Sequence, residues 1–274
     1  MSNSISLFTS SVSSRPCHTV VLDYIKSFAR QILYSAHMHY HRMFTFNLTR
    51  TIEWQKESRG LVVLVHGLRS FPAAWFSQIK LLKRYPKVDL FVPSVTKQGM
   101  CSLEEAADPI LKTLQDYAAK NPGRPISVLG VSNGSRIATW LDVKMRKYFP
   151  KTPMRISTIA GVHFGSSQMN LMKRLGVAKW LYPVSLREEL AYGSKKAKEL
   201  LAKVSTPLPR KCALRSFEFF ATTEDLLIPD NESSLPELGL GEKRYLLHGH
   251  SHDSIVTAVA ESQIKGLISW MRQF

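Results

Sequence analysis

PISVLGVSNGSRIATW, from Pro125 to Trp140, contains the patterns of a strand, a tight turn and a helix in direct succession. The apolar, β-branched run over 126–129 predicts a short buried strand. Apolar residues then recur at helical spacing over 136–148. Between them lies Gly130-Val131-Ser132-Asn133-Gly134, which has the pattern G-x-S-x-G. The stretch therefore predicts a serine on a strand-to-helix turn.

Such a turn restricts the residues on either side of Ser132 and exposes its hydroxyl group. A side chain at Gly130 or Gly134 would collide with the neighbouring strand and helix, so glycine is expected at both positions. The turn projects the Ser132 hydroxyl beside a helix N-terminus, whose free N–H groups suit a developing oxyanion. This is the arrangement of a nucleophile elbow. The pentapeptide is common, however, so an ordinary serine on a glycine-rich turn remains the alternative.

Composition predicts a globular protein with an unusual charge. The chain has 274 residues, of which 44% are hydrophobic and 21% are charged. These fractions are ordinary for a folded domain, but the net charge of +16 is not. Such an excess favours contact with anionic surfaces. The basic residues are spread along the chain, so we expect a solvated basic face. Binding to an anionic membrane surface is the second interpretation. No nucleic-acid motif is present, so we expect no nucleic-acid partner.

Cysteine usage and the N-terminus bear on location. Cys17, Cys101 and Cys212 are far apart and in no C-x-x-C motif, which fits a reducing compartment. We expect no signal peptide, and no stretch reaches the roughly 18 uncharged apolar residues of a transmembrane helix. The expected location is cytoplasmic, with membrane association through the basic surface as a further expectation.

Strand and helix patterns alternate along most of the chain. Continuously apolar strand runs separated by helical patterns predict a parallel, doubly wound sheet in one α/β domain. We assign residues 51–274 to this domain. The predicted strands are 61–65, 88–92, 126–129, 154–159, 217–222 and 243–247, with an early strand over Phe44–Trp54 and helices over 72–84, 102–119, 136–148 and 254–271.

Two segments do not follow the alternation. Residues 1–50 are predicted to be an N-terminal extension with an amphipathic helix from His18 to about Arg42, which packs on the domain or, less favoured, lies on a membrane. In this extension His37, His39 and His41 form H-x-H-x-H, which a helix would not bring together as metal ligands. Residues 167–206 carry only helical patterns, and we expect them to form a helical cap.

Four loops at predicted strand ends carry reactive or donor residues, in the order HGL (66–68), GVSNG (130–134), DLLIP (225–229) and HSHD (250–253). Together they resemble the α/β-hydrolase superfamily, with lipases and lipase-like esterases as the nearest likeness. The stretch TIAGVHFGS (158–166) is also similar to these enzymes. The resemblance covers about residues 58–273, and it rests on the combination and order of the motifs.

The resemblance implies a catalytic triad. Ser132 matches the nucleophile, Asp225 in D-x-x-I-P matches the acid that orients a histidine, and His252, followed by Asp-Ser-Ile-Val, matches the general base. His250, preceded by Gly249, is the second candidate for the base. Glu224 and Asp230 are the neighbouring alternatives for the acid.

The resemblance also implies an oxyanion hole. Its donors are the backbone N–H groups of Leu68 and Asn133, the residue after the nucleophile. His66 and Gly67 are expected to support the loop that carries Leu68. Asn133 departs from the residues common at its position, and its amide either contacts substrate or caps the helix.

The expected function is a serine hydrolase that cleaves small-molecule or lipid carboxylic esters through an acyl-enzyme, with no cofactor and no metal. Two alternatives remain. A non-catalytic binding module with the same fold would not need the three filled triad positions. A metal-dependent hydrolase would use His248, His250 and His252, but too little chain follows them to supply further ligands.

Overall fold

The computed structural model describes residues 6–7, 17–44, 57–207 and 214–274. The predicted early strand over Phe44–Trp54 falls outside these ranges except for Phe44, which ends a helix. The side chains of His37, His39 and His41 also lie outside the described residues, as does the question of a metal site among them.

A seven-stranded sheet runs through the described part of the chain. Its strand order is β1-β7-β6-β5-β4-β2-β3, and every neighbouring pair is parallel except β1 with β7. The predicted parallel sheet is confirmed. The strands are β1 (Ser6–Leu7), β2 (Leu61–Val65), β3 (Asp89–Phe91), β4 (Ile126–Val131), β5 (Met154–Ile159), β6 (Arg215–Thr222) and β7 (Lys243–Leu247).

Helices connect the strands. Ser102 caps the helix that begins at Leu103, because its hydroxyl accepts a hydrogen bond from the Glu105 N–H over 3.2 Å. The helices are α1 (Cys17–Phe44), α2 (Phe76–Leu82), α3 (Leu103–Lys120), α4 (Asn133–Tyr148), α5 (Ser167–Arg174), α6 (Ala178–Leu181), α7 (Val184–Leu190), α8 (Lys195–Ser205), α9 (Asn231–Ser234) and α10 (Ser254–Met271), with 3₁₀ turns at Pro72–Trp75 and Thr96–Gly99. Among the described residues, no helix is both long enough and apolar enough to cross a membrane.

The sheet has helices on both faces. All five residues of β2 are fully buried. Leu61, Val63 and Val65 join a core with α3, α4 and α8, whereas Val62 and Leu64 join a second core with α2 and α10. Because alternate side chains of a strand point to opposite faces, a continuously apolar strand is buried only when both faces are covered.

The segment between β5 and β6 contains helices α5 to α8. A third, smaller cluster of buried apolar residues holds α5 to α7 against the loops that follow β5 and β6, and it includes Met169, Leu186 and Ile228. In contrast, Leu200, Leu201 and Val204 of α8 belong to the core beneath α4. The part of this segment that covers the sheet's carboxyl edge is therefore α5 to α7.

Helix α1 is oriented opposite to the favoured prediction. Its apolar stripe was expected to pack on the domain, but those residues are exposed, whereas Asp23 and Ser27 are buried. The reason is that polar side chains of α1 have hydrogen-bond partners in the loop before α10. Helical periodicity identifies two faces but does not say which of them finds a partner.

Candidate active site

Ser132 lies on a strained turn between β4 and α4. Its φ of 54° and ψ of −125° fall in a region that residues other than glycine rarely adopt. A Cβ atom on Gly130 would lie 2.5 Å from the Gly134 carbonyl oxygen, and one on Gly134 would lie 2.3 Å from the Val65 carbonyl oxygen. Glycine is thus required on both sides of the serine, because strand and helix approach each other so closely.

His252 and Asp225 form a buried pair. Asp225 lies in the loop after β6, His252 lies in the loop between β7 and α10, and His252 Nδ1 is 2.7 Å from Asp225 Oδ2. The other carboxylate oxygen accepts the N–H groups of Leu227 and Ile228 over 2.9 and 2.8 Å. Backbone N–H groups therefore hold Asp225 Oδ1 in place, and Oδ2 faces the His252 imidazole.

The environment of His252 favours its protonated form. Burial alone lowers the pKa of this imidazole, but the charge of Asp225 and the hydrogen bond to it outweigh burial and raise the pKa to about 9. Since Nδ1 is engaged by Asp225, Nε2 is the ring nitrogen left to exchange a proton. This is the division of roles that a general base in a triad requires.

A cavity of about 480 Å³ opens at the carboxyl edge of the sheet. Ser132 and His252 both line it, so the elbow and the imidazole face one space. Most of the other lining side chains are apolar. They come from the loop and 3₁₀ turn after β2, the end of β4, the loops after β5 and β6, helices α5 and α7, and the start of α10. They include Leu68, Phe71, Ala74, Val131, Val162, Met169, Met172, Leu190, Leu227, Ile228 and Val256.

The loop after β2 lies against the elbow. A Cβ on Gly67 would approach the Ser132 Cβ to 2.8 Å, so only glycine fits there. Leu68 and Asn133 both line the cavity. Within the described part of the chain, neither of their backbone N–H groups has a hydrogen-bond acceptor. Two free donors beside a serine form the kind of site that binds an oxyanion.

His66 connects this loop to its surroundings. Its Nε2 accepts the Val95 N–H over 3.1 Å, so Nδ1 carries the proton and donates to the Gly67 carbonyl over 3.0 Å. Burial lowers the pKa of His66, which keeps the imidazole neutral. His66 is buried and does not line the cavity, so it contacts the loop without facing the reaction space.

The other histidines of the HSHD region have different partners. His250 Nε2 lies 3.0 Å from the Arg30 guanidinium, and burial together with that charge lowers its pKa to about 4. His248 Nδ1 lies 2.9 Å from the Thr223 hydroxyl. The three imidazoles do not converge on one point. Over the described ranges, no three His, Cys, Asp or Glu side chains are grouped as metal ligands.

The two alternative acids accept hydrogen bonds from backbone N–H groups. Glu224 accepts the Gly249 N–H over 2.7 Å, and Asp230 accepts the Ser167 N–H at the start of α5 over 2.8 Å. Neither carboxylate is directed at His252. Asp225 is thus the acid that the fold brings to this imidazole.

Sequence reasoning missed a buried ion pair behind Asn133. Arg136 donates to Asn133 Oδ1 and to Glu189 Oε2, both over 3.2 Å, and both charged side chains are almost fully buried. Lys196 also donates to Glu189, over 2.7 Å. The pair connects the first turn of α4 to α7 and α8. No pattern in the sequence marks it, because Arg136 and Glu189 lie 53 residues apart.

At the sequence level, the chain matches no protein-family model and no curated protein. Solved structures do resemble it. Lipase BlEst2 of Bacillus licheniformis, in its mature form, aligns with a TM-score of 0.57 at 13% identity over 81% of this chain and 96% of its own. Est1E of Butyrivibrio proteoclasticus aligns with a TM-score of 0.55 at 12% identity over 81% and 92%.

Lipase B of Aspergillus fumigatus aligns with a TM-score of 0.54 at 14% identity over 75% of this chain. The alignment covers 51% of the lipase, so the chain spans about half of that protein's length. At such identities the likeness concerns the fold alone. The chain therefore has the α/β-hydrolase fold seen in lipases and esterases.

Proposed function

We propose that this protein is a serine hydrolase that cleaves carboxylic esters through an acyl-enzyme on Ser132. His252 acts as the general base and acid, Asp225 orients its imidazole, and the N–H groups of Leu68 and Asn133 bind the oxyanion. One observation carries the proposal. A serine on a strained elbow and an imidazole paired with a buried carboxylate line the same cavity.

The reaction needs no group beyond these side chains and water. Ser132 Oγ attacks the ester carbonyl carbon while His252 Nε2 takes the hydroxyl proton, and the carbonyl oxygen becomes an oxyanion held by the two N–H groups. The C–O bond to the alcohol then breaks, and His252 returns the proton to the leaving oxygen. Water attacks the acyl-enzyme by the same route, releases the carboxylic acid and restores the Ser132 hydroxyl.

The cavity lining favours an ester with an apolar acyl group. Its walls are mainly aliphatic and thioether side chains, which stabilise hydrocarbon by removing it from water. Exposed apolar residues of the cap helices lie beyond the cavity, among them Leu175, Trp180 and Val184. We therefore propose lipid esters as the substrate class and an anionic membrane surface, attracted by the net charge of +16, as the partner.

Active-site labelling tests the nucleophile. The wild-type protein is expected to react with a fluorophosphonate and to hydrolyse short nitrophenyl esters, and Ser132→Ala is expected to lose both properties. Ser70→Ala removes another serine of the same cavity and should still be labelled. Labelling of Ser132→Ala at the wild-type level would overturn the assignment. Ester binding without labelling or turnover in the wild type would indicate a binding module.

A further inference from the structure

Helix α1 packs on the domain with its polar side. Asp23 and Ser27 are its buried described residues, and Arg30 and Gln31 are half-buried on the same side. A helix on a water-facing surface normally buries its apolar stripe. The inverted orientation of α1 therefore calls for a partner on the other side.

The polar side of α1 contacts the loop that carries His252. Gln31 donates to Asp253 Oδ2 over 2.8 Å and accepts from the Ser251 hydroxyl over 2.5 Å. Arg30 donates to the Gly249 carbonyl oxygen. Asp253 lines the cavity next to His252. Helix α1 is thus fixed at the border of the candidate active site.

The outward side of α1 is apolar. Val21, Ile25, Phe28 and Ile32 follow one another at helical spacing, and Phe28 is 70% exposed. Leu22 and Leu33 widen the stripe. Asp23, the one acidic residue in the helix sequence, is buried on the opposite side, so no carboxylate accompanies the stripe. An exposed apolar surface of this extent indicates an interaction site.

We propose that α1 binds the surface of an anionic lipid bilayer through the stripe formed by Val21, Leu22, Ile25, Phe28, Ile32 and Leu33. The net charge of +16 supplies attraction to such a surface, and the stripe supplies apolar area that enters the acyl boundary. This proposal rests on the proposed function, because binding of α1 to the bilayer would hold the cavity close to lipid esters.

A lipid surface fits better than a protein partner. The cap, whose helices α5 and α7 line the same cavity, also exposes apolar side chains. Trp180 of α6 is 81% exposed, with Lys179 beside its ring. Helix α1 contacts the loop that borders the cavity, the cap lines the cavity, and both expose apolar residues close to basic side chains. A bilayer is a single partner that meets both elements without needing a shaped complement.

Vesicle flotation tests the proposal in the full-length chain. The Ser132→Ala protein is used throughout, so that binding is measured without hydrolysis. With vesicles of phosphatidylcholine and phosphatidylglycerol, it is expected to float, and the added changes Phe28→Ser and Ile32→Ser should lower the bound fraction at least tenfold. The matched control, Tyr148→Ser with Leu214→Ser, removes exposed apolar residues at the opposite edge of the sheet and should float unchanged.

Each other outcome has a definite meaning. Equal flotation of the stripe variant, no flotation at all, or equal flotation on purely neutral vesicles would overturn the proposal. If the protein does not float but sediments as a dimer, and the stripe substitutions dissociate that dimer, the stripe binds a second copy of the chain. An unchanged urea midpoint for the stripe variant is expected, because its residues are exposed. Failure of fluorophosphonate labelling would reject the proposed function and leave stripe-dependent flotation standing.

Discussion

In the proposed mechanism, the pKa of His252 sets the pH range in which Ser132 can be activated. A general base acts in its neutral form, and the pKa of about 9 means that this form is in the minority at neutral pH. We expect kcat/KM for an uncharged nitrophenyl ester to rise about tenfold per pH unit up to about pH 9 and then to level off. A stopped assay between pH 6 and 10, corrected for spontaneous hydrolysis, measures the profile.

Asp225→Asn is the control for that profile. Without the carboxylate, the two largest influences that raise the pKa of His252 are lost and only the smaller effect of Asp253 opposes burial. The midpoint should therefore move to lower pH while the maximal rate falls on the order of 10⁴-fold. A flat profile in the wild type, or an unmoved midpoint in the variant, would contradict the role given to this pair.

The two candidate bases are separated by paired substitutions. His252→Ala is expected to lower kcat on the order of 10⁴-fold or more, because no other imidazole lines the described cavity. His250→Ala should keep kcat close to the wild-type value, since His250 faces Arg30 and the loop is still held by Gln31. Loss of activity in His250→Ala alone would reverse the assignment.

The choice between these two histidines shows where sequence reasoning ends at this scale. The motif HGHSHD predicted a base in this loop, and the residues after His252 favoured it over His250. Which ring reaches Asp225 depends on how the loop turns after Gly249, whose φ is 70°. A sequence motif does not contain that geometry.

The buried ion pair between α4 and α7 is expected to stabilise the packing of these helices. Glu189→Gln leaves Arg136 as an uncompensated buried charge, so the free energy of unfolding should fall by about 3–5 kcal/mol. Glu188→Gln, the adjacent control, removes an exposed contact with Lys173 and should cost less than about 1 kcal/mol. Urea unfolding followed by circular dichroism measures both. Equal losses would show that the buried pair does not hold these helices.

Most elements of the sheet domain were predictable because their patterns are strong. The strands at 61–65 and 243–247 match the predictions residue for residue. For 61–65 the reason is a continuous apolar run bounded by turn residues, which leaves little freedom in where the strand begins and ends. The predicted helix over 72–84 instead begins with a 3₁₀ turn at Pro72–Trp75 and ends at Leu82. The helical pattern over 167–206 is divided into four helices, because Gly176, Pro183 and Gly193 interrupt it.

The net charge gives a prediction for the whole molecule. Attraction between a protein of charge +16 and an anionic bilayer is screened by salt, and the Debye length falls from about 10 Å at 0.1 M to about 3 Å at 1 M. We expect vesicle binding to weaken as sodium chloride rises across this range. Hydrolysis of a soluble, uncharged ester should not change, which serves as the control. Salt-independent flotation would mean that apolar contact alone accounts for binding.

The fold and the identity of the candidate residues follow from local patterns. Alternating strand and helix runs, two glycines around Ser132, and the order of four loops are all readable along the chain, because each depends on neighbours in sequence. Three features depend on the tertiary structure: the pairing of His252 with Asp225, the Arg136–Glu189 contact and the outward stripe of α1. Each depends on residues that lie far apart in the chain. Sequence periodicity shows that a helix face is apolar or polar, but it does not show which part of the protein that face contacts.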